Sequence, residues 1–322
     1  MRNQSHYTET FTEPQVLFSM ILEKVTDLYK KYVPSFVQNR RNVSLQKQSD
    51  TVIIACVLWT LMQDYKNQTA AYRAIRSHLF NENFPERSRF CRICQNLSFV
   101  IKLIRFHFIQ ELIVGTDLVI VDSMPCPLCK PIRNRRATLL SEIADIGYNA
   151  TKKEHYYGVK LSFFVTESGF PVNYVVSAAS VHDIHMVKTL AQTSPFPQII
   201  GDKGYLSKDL KNELAEDGIT LTTPMRKNMV GADKVDNCLL GKRRKAIETV
   251  FSNLESLGIQ AFNSRSYQAF EFRLESLLLV YALMLEKAKQ RFGNTLRYSL
   301  GRFRLTSTTG INLFFPYQIA YC

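Results

Sequence analysis

Leu118–Cys129 reads LVIVDSMPCPLC, and its first five residues decide how the chain is understood. Leu118, Val119, Ile120 and Val121 form a β-branched-rich apolar run, the pattern of a strand buried on both faces of a sheet. The run ends on Asp122. An ionised carboxylate at such a position needs a partner or a cation, because water is no longer there to solvate it. The same design recurs in QIIGDKGY (Gln198–Tyr205), where a short apolar run delivers Asp202 into a glycine-containing turn. A third carboxylate, Glu248, lies on the helical segment RRKAIETVFSNLESL just after a cluster of cations. Two strand-end aspartates and one helical glutamate are what a divalent-metal phosphoryl-transfer site requires.

Composition agrees. The 322 residues allow one large or two ordinary domains, and 46% hydrophobic with 21% charged residues describes a folded globular chain. The net charge of +13 calls for a polyanionic partner, nucleic acid before an anionic membrane surface. The longest uncharged apolar runs, Thr51–Gln63 and Ser276–Leu285, fall short of the roughly 20 residues a spanning helix needs. The polar N-terminus MRNQSHYTETFTEPQ has no signal-peptide character, so a cytoplasmic location and free thiols for the seven cysteines are expected.

Up to about Gly115 the periodicity is helical. Val16, Leu17, Met20, Ile21, Val25, Leu28 and Tyr32 mark an amphipathic helix that starts after Pro14. Thr51–Tyr65 is a more apolar helix with Asp50 as its N-cap and Trp59 in its core, and Asn67–Phe80 and Glu86–Val114 follow. Arg73, Arg76, Arg87, Arg89, Arg92, Lys102 and Arg105 sit on the last two. Two descriptions stand: an all-α DNA-binding region, including a helix-turn-helix, or a helical bundle with a solvated basic face. From Thr116 strands take over. Tyr157–Thr166 and Phe170–Ser177 alternate as a hairpin around Glu167–Gly169. Val181–Ala191 is helical, with Asp183 most simply its N-cap and otherwise an auxiliary ligand or substrate contact. Ser207 caps Lys208–Asp217, Gly218 closes it, and Ile219–Thr223 is one more short strand. The order is that of a mixed α/β domain. Phe272–Phe292 is a final amphipathic helix, and Thr306–Cys322 carries neither charge nor period.

A phosphodiester resists attack because its charge repels nucleophiles and its alkoxide leaves poorly. Two metal ions about 4 Å apart answer both problems, and hard cations such as Mg²⁺ want a few carboxylate oxygens. Strand-terminal aspartates often only begin turns; that explains either Asp122 or Asp202, and explains both among basic surroundings less well. With about 100° per helical residue, Ile247, Val250, Phe251, Leu254 and Leu257 form the buried stripe. Glu248 lies at its border, with Arg244 and Ser252 on the same face. An ordinary salt bridge to Arg244 is the plain alternative, and Glu255 is the rival third ligand.

At this point the chain resembles the transposases of bacterial insertion sequences named for an Asp-Asp-Glu triad, nearest to the insertion-sequence family numbered nine hundred and eighty-two. The resemblance is carried by VDSMPCPLC around Asp122, YYGVKLSFFVTESGFPVNYVVSAASVHD through Asp183, GDKGYLS around Asp202, TPMRKN at Thr223–Asn228, and RRKAIETVFSNL around Glu248. It implies a ribonuclease H-like mixed sheet with flanking helices behind the all-α N-terminal region. Residue by residue, it implies Asp122, Asp202 and Glu248 as catalytic metal ligands. The expected division is a helical DNA-binding region at 1–115, a catalytic domain at 116–295 and a tail at 296–322.

The expected activity is cutting of insertion-sequence ends and their joining to target DNA, with Mg²⁺ as cofactor and Mn²⁺ as substitute. Double-stranded DNA is the partner, and the need to hold two ends together implies a homodimer on DNA. A ribonuclease H-like metal nuclease, or a non-catalytic DNA-binding protein such as a decayed transposase, are the alternatives. Phosphate contacts fall to Arg133, Arg135 and Arg136 in the basic loop after Asp122. Arg226, Lys227, Lys242, Arg243, Arg244 and Lys245 in the basic segment that flanks two of the ligands complete the set. Cys91-x-x-Cys94 and Cys126-x-x-Cys129 have the outline of a Cys₄ zinc site, but the first pair falls inside a helix, and free structural thiols are the expectation. No nucleotide-binding glycine motif occurs.

Overall fold

The computed structural model describes residues 8–11, 14–65, 67–80, 82–150, 152–225, 235–262, 264–292, 303–306 and 310–314. The chain divides into two compact units, Met1–Phe108 with Tyr267–Cys322, and Ile109–Ser266. In chain order the first unit begins with β1 (Thr8–Phe11), α1 (Pro14–Tyr32), α2 (Ser35–Gln38), α3 (Asp50–Met62), α4 (Gln68–His78) and α5 (Arg87–Asn96), and α6 (Ser98–Leu112) leads out of it. Of the α1 stripe, Leu17, Ile21, Val25 and Leu28 are buried as the spacing predicts, whereas Val16 and Met20 are exposed. Asn67 caps α4 by accepting from the Ala70 N–H.

Two expectations change here. The cap of α3 is Ser49, which accepts from Val52, while Asp50 is buried in the first turn and held by Arg40 and by the Tyr29 hydroxyl. The single helix expected over Glu86–Val114 is two, broken at the buried Leu97, where no proline or glycine announces it. The basic set on these helices is also not uniformly a surface. Arg105 is 1% exposed and paired with Glu275, and Lys102 pairs with Glu271.

The second unit holds β2 (Leu118–Pro127), a 3₁₀ turn (Pro131–Arg136), β3 (Asp145–Asn149), β4 (Glu154–Thr166), β5 (Pro171–Ala178), α7 (Ile184–Thr193), β6 (Gln198–Ile200), α8 (Lys208–Glu216), β7 (Thr220–Thr222) and α9 (Asn237–Ser256). The principal strands lie in the order β5, β4, β2, β6, β7, with β4 antiparallel to the rest. That is a ribonuclease H-like mixed sheet, as the resemblance implied. The strand β3 had no counterpart in the sequence reading; it pairs with the Glu154–Gly158 end of β4.

Period-2 alternation gives the sheet two working faces. Asp122 lies opposite Phe163, and the Phe163 ring meets Phe251 of α9 at 5.9 Å, so this face carries α9. The next pair of positions faces the other way: Asn173, opposite Phe164, donates to Thr193 and Ser194 at the end of α7. Asp122 is not the last residue of its strand, contrary to expectation. The strand continues through Pro125 and Pro127, paired to β4 on one side only. Leu128 donates its N–H to Tyr157, so by alternation the two prolines put their missing donors on the open edge, where nothing is lost.

After α9 the chain returns to the first unit as α10 (Tyr267–Phe292), β8 (Phe303–Thr306) and β9 (Gly310–Phe314). By compactness the second unit closes at Ser266, whereas the sequence reading set its end at 295. Apolar side chains on every side of Leu274–Leu285 need covering all round, and α10 finds that cover in the helical unit, packing on α3 and α5. The charge-free tail contributes β9, which pairs with β1 and β8 in a small antiparallel sheet.

Candidate functional site

The parallel ladder between β2 and β6 ends with Ile120 beside Ile200. Two residues further along each chain stand Asp122 and Asp202. Equal offset and period-2 alternation put both carboxylates on the same face, and a single guanidinium confirms their proximity. Arg244 Nη2 donates to Asp122 Oδ2 at 3.3 Å and Nη1 to Asp202 Oδ1 at 3.0 Å. Asp122 Oδ1 also accepts from the Ser123 N–H, and Asp202 Oδ1 from the Lys203 N–H. Among the described residues Asp202 Oδ2 accepts nothing.

The turn that presents Asp202 depends on Gly201. A Cβ there would stand 3.0 Å from the Cβ of Tyr205, tighter than side chains ordinarily tolerate. Tyr205 is buried under the turn, and burial, with Asp122 and Asp183 nearby, pushes its phenol up. Asp122 is the more enclosed aspartate, with 26% of its side chain exposed against 45% for Asp202. Burial pushes the Asp122 carboxyl up to about 6. Asp202 adds to the shift, while the Ser123 N–H and Arg244 oppose it.

Glu248 follows Arg244 by four residues on α9, and its side chain is exposed. It makes no ion pair with Arg244, whose guanidinium is turned to the two aspartates. Its rival Glu255 accepts from Gln260. Among the described residues no group of three His, Cys, Asp or Glu side chains is gathered closely enough to hold a metal, so Glu248 stands outside the pair. The donor chemistry still fits a divalent cation: two hard carboxylates side by side, one of them largely buried, are bridged by a positive group, and one oxygen is open.

Of the cations proposed for phosphate contact, Arg133, Arg135 and Arg136 are exposed on the 3₁₀ turn and make no ion pair among the described residues. Asn134 between them pins the turn to β4, accepting from the Tyr157 N–H and donating to the His155 carbonyl. Lys242 and Lys245 are exposed on α9, whereas Arg243 pairs with Glu167 at 3.2 Å. Arg226 and Lys227 lie outside the described residues. Of the second cysteine pair, Cys126 Sγ donates to the Ile259 carbonyl and Cys129 Sγ to Asn134.

The sequence reading missed two features. Asp183 stands at the N-cap position of α7 but its side chain makes no capping hydrogen bond; it pairs with Lys160 at 2.8 Å, and His182 Nδ1 accepts the Ile184 N–H instead. Lys160 was the available signal, a lone cation in the apolar strand VKLSFFV that had to find an acceptor. Arg244 was read as a surface phosphate contact, although its place one turn before Glu248 put it on the same face.

The ribonuclease H-like sheet thus sets two aspartates side by side just beyond the end of its parallel ladder, next to a helix that bears an arginine and a glutamate. Residues 114–265, a little under half of the chain, match the family described as transposase DDE domain. The chain is also similar to piggyBac transposase in a synaptic complex with hairpin DNA, at 12% identity and a TM-score of 0.39 over 88% of this chain and 79% of that one. No curated protein matches the chain. Among the described residues, no helix is long and apolar enough to cross a membrane.

Proposed function

We propose that this chain is a DNA transposase that cuts the ends of an insertion sequence and joins them to target DNA, with Asp122, Asp202 and Glu248 as its catalytic carboxylates. The observation that carries the reading is the convergence of Asp122 and Asp202 at the end of the β2–β6 ladder, within the stretch that matches the transposase DDE domain. The motifs around these residues are most like those of the insertion-sequence family named above. Mg²⁺, or Mn²⁺ in its place, would be held by the two aspartates with Glu248 and would supply Lewis-acid stabilisation to the attacking and leaving oxygens.

The chain's own residues do the rest. The sheet fixes the two aspartates in register, the Ser123 and Lys203 N–H groups hold Oδ1 of each, Arg244 engages Asp122 Oδ2 and Asp202 Oδ1, and Asp202 Oδ2 is left open. The exposed arginines of the 3₁₀ turn and Lys242 and Lys245 of α9 would grip phosphates and set the duplex against the site without reading bases. Two element ends must be handled together, so a homodimer on DNA follows from the reaction.

The exposure of Glu248 is the observation that favours the rival reading, a non-catalytic DNA-binding protein. One experiment decides between them. Purified protein with Mg²⁺ and a duplex ending in the element's own terminus should release a 3′-OH end and join it to a second duplex. Asp202→Asn should bind the same DNA at least as tightly, having lost a negative charge beside phosphate, with cleavage lower by several orders of magnitude. Cleavage without joining would identify a nuclease, and wild-type cleavage in Asp202→Asn would remove Asp202 from the site.

A further inference from the structure

We propose that Arg244 is the resident counter-cation of the metal-free site, holding Asp122 and Asp202 together until a divalent ion displaces it. The inference rests on the metal reading above. It begins from the forked contact: one terminal nitrogen goes to each aspartate, at 3.3 and 3.0 Å, from a side chain that is only 16% exposed. Two neighbouring carboxylates, one largely buried, would repel each other and spread if left ionised and alone. The guanidinium fork spans them and neutralises part of their joint charge.

A second observation says that nothing else fixes the arginine. Its Nε is buried and has no hydrogen-bond partner among the described residues. A permanently structural arginine at this depth is normally satisfied on all its donors; here the two aspartates alone hold the pose. A doubly charged cation bound by the same oxygens would therefore compete directly with Arg244 and repel it. The place vacated lies one helical turn before Glu248, which shares the face and is exposed. Replacing a cation by a neighbouring carboxylate turns a two-carboxylate ion pair into a three-carboxylate cation site, without rearrangement of the sheet.

The test uses the full chain, freed of metal and without DNA, and Mn²⁺ as the probe, with binding followed by electron paramagnetic resonance. Arg244→Gln removes the competitor and should bind Mn²⁺ about tenfold more tightly than wild type, the order of one charge-assisted hydrogen bond. Its melting temperature in chelator should fall below that of wild type, since the aspartates lose their partner, and the gap should close when Mn²⁺ is added. A merely structural arginine would not give tighter binding, and an arginine that orients ligands for the metal would give weaker binding. Unchanged or weaker Mn²⁺ affinity in folded Arg244→Gln overturns the proposal. Should that variant fail to fold in chelator, Arg244→Lys keeps the charge but cannot span both carboxylates, and its affinity should lie above wild type; equality or loss is again fatal. Asp202→Asn separates the two levels. If wild type binds Mn²⁺ and Asp202→Asn does not, a flat response at Arg244 removes only the counter-cation; if wild type binds none, the metal reading falls and takes this inference with it.

Discussion

At the residue scale, the two carboxylates of greatest interest lie in opposite environments, and each makes a separate prediction. Glu248 is exposed and makes no hydrogen bond or ion pair among the described residues, so Glu248→Gln should leave thermal stability within about 0.5 kcal/mol of wild type. Strand cleavage should nevertheless be lost, because a neutral amide cannot complete the cation site. Glu255→Gln, which disturbs only the hydrogen bond from Gln260, should cleave normally. The reverse result, with Glu255 essential and Glu248 dispensable, would move the third ligand two turns along α9. Asp122 behaves differently because burial raises its carboxyl to about 6 in the folded chain, above the ordinary aspartate value of 3.8. Between those two values the folded state holds the proton more firmly than the unfolded state. Stability in chelator therefore declines as pH rises from about 4 to about 6, by no more than about 3 kcal/mol from this group. The difference between wild type and Asp122→Asn isolates the effect: the decline should be present in the first, absent in the second and flat above pH 6. Parallel pH profiles for the two proteins would show that Asp122 is not raised.

At the scale of elements, the proposed phosphate contacts fall on the basic 3₁₀ turn and the start of α9. Replacing Arg133, Arg135 and Arg136 by alanine, which Asn134 should survive as the anchor to β4, removes three exposed cations. The salt dependence of binding should become shallower by about 0.9 for each phosphate no longer neutralised. Lys242→Ala with Lys245→Ala should act in the same direction, and preference for element ends over random DNA should persist in both. Loss of that preference with an unchanged salt slope would place base reading in this turn. Arg243 is a poorer target than its sequence suggested, since Glu167 already occupies it. Legibility followed the same line. The runs LVIV and QII displayed their burial in hydrophobicity alone, and the ladder then placed Asp122 beside Asp202. The hairpin at Glu167–Gly169 and the Ser207 cap were equally plain, because turn and cap chemistry is local. What stayed hidden was decided at long range. Arg244 faces residues 42 and 122 positions away, Asp183 takes Lys160 in place of its own helix, and β3 exists only because β4 offers it an edge.

At the scale of the whole molecule, the unit Ile109–Ser266 is inserted in sequence between two segments that belong together, since Met1–Phe108 and Tyr267–Cys322 form one compact unit. The sequence could not display this, because α10 follows α9 closely and its apolar residues name no partner. Of the ion pairs that tie the two segments, one is buried: Arg105 of α6 and Glu275 of α10 pair with side chains 2% and 0% exposed. Ion pairs at that depth add little when intact, because desolvation offsets attraction, but removing one partner strands a charge. Glu275→Gln should therefore destabilise the helical unit by about 3–5 kcal/mol. Replacing Arg105 by Met and Glu275 by Leu together should recover most of the loss. The chain's one tryptophan supplies a selective probe, because Trp59 is fully buried in α3, against which α10 packs. Urea unfolding followed by Trp59 fluorescence should shift to lower denaturant in Glu275→Gln and return toward wild type in the double variant. An unmoved midpoint in the single variant would mean that Arg105 and Glu275 do not fasten the C-terminal helix to the N-terminal helices, and the boundary at residue 266 would lose its energetic basis.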